Sequence, residues 1–156
     1  MQFSLSFTSV LALAAMVTAG PVAMPKDTDV NSRSPGVTSS VISEAELDHW
    51  LQTTNANLTF TGQSGKNPLR RDGQVRVVHC TNRQGPVCGG NCDVFEGTNT
   101  CIEASGTNCI MATANVAFCD KGGCGGSCNF IDSCGTRLDN NFCATPGTKS
   151  ILVPFI

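Results

Sequence analysis

The chemistry most visible in this sequence belongs to sulfur. Cys80, Cys88, Cys92, Cys101, Cys109, Cys119, Cys124, Cys128, Cys134 and Cys143 all lie in the second half of a 156-residue chain, and no cysteine precedes them. Sulfur at this density either oxidises to cystine or holds a metal as thiolate. The pairs Cys88/Cys92 and Cys124/Cys128 have a C-x3-C spacing that structural zinc tolerates, and four thiolates would complete a tetrahedral site. Six cysteines would then be left over. Disulfides are therefore the expected state, with no metal and no cofactor.

The cysteine frame repeats itself. Cys88-Gly89-Gly90-Asn91-Cys92 matches Cys124-Gly125-Gly126-Ser127-Cys128, and the similarity extends over residues 80–111 and 119–152. Four cysteines correspond between the copies: 80/119, 88/124, 92/128 and 101/143. Ser150 stands where Cys109 would be, so Cys109 and Cys134 are the unmatched pair. Each copy has five cysteines, so full oxidation requires at least one bridge between copies. The simplest expectation joins Cys109 to Cys134. Glycine reaches positive φ cheaply, so the Gly-Gly turns should point Cys88 and Cys92, and likewise Cys124 and Cys128, toward different partners.

Catalytic constellations are harder to assemble. The cysteine-bearing half has a single histidine, His79, which would need Ser105, Ser127 or Ser133 within reach to act as a base. A half-exposed strand histidine is the expectation. Asp93/Glu96 and Asp132/Asp139 could be imagined as glycosidase carboxylates, but no Trp or Tyr accompanies them in this half to line a sugar cleft. Lys121-Gly122-Gly123 followed by Cys124-Gly125-Gly126 could form an anion nest, yet no phosphate-loop sequence follows. The reading is non-catalytic, with Phe95, Phe118, Phe130, Phe142 and Phe155 expected as a small core against the disulfides.

These residues must be positioned by a short module. Residues 1–19 read as a signal peptide, apolar from Val10 to Val17 and cut after Ala19. Residues 20–71 read as a pro-segment, mostly disordered, rich in Pro and Ser at its start. It carries one helix near 43–53, opened by the capping box Ser43-Glu44-Ala45-Glu46. Asn57-Leu58-Thr59 is an N-glycosylation sequon, and Arg70-Arg71 a dibasic processing site at the composition boundary. Residues 72–156 form the mature cysteine-rich module, about 12 per cent cysteine, in the range of a disulfide scaffold. Its expected strands are 74–79, 110–118 (where a helix is the alternative) and 150–155, giving a small disulfide-rich, β- and loop-dominated fold. Poor in bulky residues, it should depend on cross-links more than on burial.

Charge narrows the partners. The chain has a formal net charge of −2, and the module's five basic and seven acidic residues are scattered, which argues against nucleic acid. Nothing after the leader is long and apolar enough to insert stably in a membrane, and weak acidity disfavours attack on anionic lipid. A secreted monomer that recognises an extracellular protein or a cell-wall polymer is the expected function. A membrane-active toxin and a polysaccharide-binding module are the alternatives.

Residues 43–152 also resemble small secreted cysteine-rich proteins of filamentous, mushroom-forming fungi. The likeness is carried by Glu46-Leu47-Asp48-His49-Trp50-Leu51, the stretch Thr53–Phe60, both Cys-Gly-Gly turns, Asn115–Cys119 and Asn141–Thr148. It implies secretion, disulfides and an effector-like interaction role, and it offers no catalytic residue to carry over.

Overall fold

A computed structural model describes residues 41–62 and 73–156. The expected signal peptide with Ala19, the start of the pro-segment, and Arg70-Arg71 lie outside the described residues. In chain order the elements are α1 (Glu44–Thr53), β1 (Asn57–Gly62), β2 (Val75–Gln84), β3 (Val87–Gly97), β4 (Thr100–Ala112), β5 (Ala117–Cys119), β6 (Cys128–Phe130) and β7 (Cys143–Val153). Two 3-10 turns, Ile131–Ser133 and Asp139–Asn141, separate β6 from β7. The strands form one sheet in the order β1-β3-β2-β4-β7-β5-β6.

Burial on both faces explains the central strands. In β2, Val78 and Cys80 point into one hydrophobic cluster while Val75 and Val77 point into the other. In β4, Cys109 and Met111 alternate with Ile110 and Ala112 in the same way. That period of two settles the ambiguity at 110–118 against a helix. The run is also divided: β4 ends at Ala112 and β5 begins at Ala117. The expected strand at 74–79 opens the longer β2, and that at 150–155 closes β7, which stops at Val153 before Pro154.

The order has an internal relation. On either side of the antiparallel β4–β7 pair lie β2 then β3, and β5 then β6, all antiparallel. Cys80 faces Cys92 on one side and Cys109 on the other. Cys119 faces Cys128 on one side and Ser150 on the other.

All ten cysteines are paired, as Cys80–Cys92, Cys88–Cys109, Cys101–Cys124, Cys119–Cys128 and Cys134–Cys143. The expected Cys109–Cys134 bridge is therefore corrected. Within each Cys-Gly-Gly turn the two cysteines do bond elsewhere, and one bridge does join the two stretches, but it is Cys101–Cys124. Ser150 supplies the reason. Cys109 takes Cys88, whereas Ser150, which faces Cys119 as Cys109 faces Cys80, cannot bridge Cys124 and instead accepts its backbone N–H at 2.9 Å. Cys124 is thereby released to cross over.

A second correction concerns the leader. Residues 41–62, read from the sequence as part of a mostly disordered pro-segment with one helix, share the core of the module. Leu47 and Trp50 of α1 are buried in one cluster with Val78, Cys80, Val94, Met111 and Phe142. Ile42 donates its N–H to Ala112 at 3.0 Å, and β1 runs parallel to β3 over its whole length. The phenylalanines also divide differently from expectation. Phe142 is core and Phe95 and Phe118 are half-buried, whereas Phe130 and Phe155 are exposed.

Candidate functional site

Helix α1 builds one wall of a cleft. Its first turn is fixed by the capping box: Glu46 N–H donates to Ser43 Oγ at 3.3 Å, and Ser43 N–H to Glu46 Oε2 at 2.9 Å. Leu47 and Trp50 hold it to the sheet, with the Trp50 ring edge-on to Phe142 at a centroid separation of 5.1 Å. From β2, Arg76 donates to Glu44 at 3.2 Å and also to Asp48. Burial works against the Arg76 charge, but its hydrogen bonds to Asp48 and Glu44 and the attraction of those two carboxylates outweigh it and raise its pKa. Ala45, Glu46 and His49 lie on the side of the helix that lines the cleft.

The segment Leu138–Phe142 builds the facing wall. Leu138 and Phe142 are buried, and the Leu138 N–H donates to the Phe142 carbonyl at 2.8 Å, so the segment loops out and returns. Asp139 N–H is held by the Pro86 carbonyl at 2.9 Å, and the adjacent Cys143 is bridged to Cys134. At the tip, Asn140 and Asn141 are both left-handed, at φ 57° and 61°. Asparagine bears that conformation better than most residues, yet two in succession still store backbone strain, which in folded proteins gathers at ligand sites.

Between these walls lies an open cleft of about 350 Å³ lined by Ala45, Glu46, His49, Trp50, Asn140 and Asn141. Its size falls at the small end of ligand sites. The cleft's exposed surface is more apolar than polar, and its polar groups are two carboxamides that both donate and accept, an exposed imidazole and a carboxylate engaged by Ser43. No motif or spacing in the sequence points to this cleft. The Asp139-Asn140-Asn141 run was the available signal, since Asn is enriched at left-handed positions.

Of the residues weighed earlier for catalysis, Asp139 lies in the loop that walls the cleft without lining it, and the others lie elsewhere. His79 is 7% exposed, more buried than expected, and its Nδ1 meets Thr107 Oγ1 at 3.1 Å rather than any of the three serines. Burial lowers its pKa, with Asp93, its neighbour on β3, acting in the opposite direction. Asp132 is occupied in a local turn, accepting from Asn115 at 2.8 Å and from Ser133 at 3.1 Å. The glycine nest has an internal anion: Gly123 N–H donates to the Glu103 carboxylate at 2.8 Å.

Two further surface features are well defined. Phe130 and Leu152, both exposed, are the two cross-strand neighbours of Ala117 and form an apolar row near the β6 edge. Asn57, the sequon asparagine, is exposed on β1, and its Nδ2 donates to Asn91 Oδ1 at 3.1 Å. Among the described residues no helix is long and apolar enough to cross a membrane. Comparison of the chain with protein-family models, curated proteins and solved structures finds no match.

Proposed function

We propose that this protein is a secreted, non-catalytic interaction protein, effector-like in character, that recognises an extracellular partner through the cleft between α1 and Leu138–Phe142. The observation that carries this reading is the pair of left-handed asparagines at the mouth of the cleft. A loop anchored by a disulfide and by two buried side chains could relax its tip at little cost to the core. Its strained tip instead keeps two carboxamides in the lining of a cleft that Trp50 shares. Five disulfides are compatible with an oxidising, extracellular setting. The matched Cys-Gly-Gly turns and the symmetric strand order support descent of the module from two copies of a three-stranded unit.

Neutral, hydroxyl-bearing groups suit the cleft best, which favours a saccharide unit of a cell-wall polymer over a charged ligand. A protein partner is the second reading, favoured by the exposed Phe130–Leu152 row. The test uses Asn140→Gly/Asn141→Gly, which deletes both amides while keeping the left-handed backbone accessible. Purified protein is passed over insoluble chitin, glucan and immobilised extracellular proteins. Retention on a polysaccharide, lost in the double variant with unchanged melting temperature, is expected. Retention equal in both forms overturns the cleft, and dye release from anionic vesicles would replace recognition by membrane attack.

A further inference from the structure

The first strand of the sheet is unusual for an edge. Proteins blunt such edges with charge, proline, a bulge or brevity, because unpaired backbone groups template the addition of another strand. β1 uses none of these. Asn57–Gly62 contains no Lys, Arg, Asp, Glu or Pro, and its register with β3 runs unbroken from Asn57↔Asn91 to Gly62↔Glu96. Among the described residues no strand pairs with its outer side. The opposite edge, β6, is only three residues long and is clamped to β5 by Cys119–Cys128.

We propose that β1 is a pairing edge for a second copy of this chain, and that a glycan on Asn57 keeps that edge closed. The segment is self-complementary. In an antiparallel pair with its two-fold axis at Thr59, Leu58 of one copy lies opposite Phe60 of the other, and the same contact recurs on the far side of the axis. Phe60 is 59% exposed, and Leu58 is half-buried against the helix-side cluster, so pairing covers apolar surface that the single chain leaves in water. The sequon Asn57-Leu58-Thr59 lies within the strand itself. N-glycosylation replaces one of the two Nδ2 hydrogens, so the bond to Asn91 can persist, and the bulk of a sugar on the first residue of this edge strand crowds the approach of a second one. The polar sugar thus supplies the guard that the amino acids of β1 do not.

Thr59→Val removes the sequon but leaves Asn57, its bond to Asn91 and a strand-favouring side chain. The full-length secreted protein is compared with this variant, and with wild type treated with an endoglycosidase, by light scattering after size exclusion. The glycosylated protein is expected at monomer mass, and both glycan-free forms at twice that mass at high concentration. Adding Phe60→Lys to Thr59→Val should restore the monomer without changing the circular dichroism spectrum. Glycan-free protein that stays monomeric overturns the proposal, as does association that survives Phe60→Lys.

Discussion

Gly90 and Gly126 hold the second position of the two Cys-Gly-Gly turns at φ 83° and 78°. A Cβ on Gly90 would stand 2.6 Å from the Cβ of Asn82, and one on Gly126 would strike the Asp120 carboxylate. That carboxylate is needed where it is, accepting the Ser127 N–H at 2.8 Å, as Thr81 Oγ1 accepts the Asn91 N–H at 3.3 Å. Gly89, by contrast, has open space and no positive φ. Gly90→Ala and Gly126→Ala should each cost about 1–3 kcal/mol in denaturant unfolding, the range for a residue forced into a strained conformation. Gly89→Ala should lie within about 0.5 kcal/mol of wild type. His79 carries a pH signature. Its folded pKa lies below the ordinary 6.5, through burial first and despite Asp93. Above 6.5 both states are neutral there; as pH falls, the unfolded chain binds the proton first, so stability declines until the folded imidazole itself titrates. His79→Gln, which keeps a partner for Thr107, should flatten that part of a melting-temperature profile.

At the scale of elements, α1 decides how far the core extends. Trp50→Ala removes a buried ring and should cost about 3–5 kcal/mol. Asp48→Ala removes an ion pair whose acid is 55% exposed and should cost no more than about 1 kcal/mol. Thermal melts that ranked the two the other way would mean that charge, rather than packing, holds the helix. The helix itself was legible because its capping box and its Leu47/Trp50 spacing are local signals. Its membership of the core was not, because an apolar stripe shows that a partner is needed without showing which one, and the cysteine boundary suggested a division. β2 was legible from its valines. The split between β4 and β5 was hidden in a continuous apolar stretch, where only the long-range pairing of β5 with β7 marks the new strand.

On the scale of the whole molecule, the five cystines and the two clusters act together. Cys80–Cys92 and Cys119–Cys128 lock directly opposed residues of neighbouring strands, each at a Cα separation of 4.1 Å. Cys101–Cys124 links the two halves of the sheet, and closing a loop of that length contributes about 3 kcal/mol in the chain-entropy picture. The need for a bridge between halves was legible from parity alone. Its identity was not, since it depends on Ser150 reaching the Cys124 N–H, a contact between residues 26 apart in sequence. The most direct measurement is peptide mapping of the unreduced protein recovered from culture medium. It should yield a Cys101–Cys124 fragment and the other four pairs with no free thiol. A Cys109–Cys134 fragment, or free sulfhydryls in folded protein, would contradict the account.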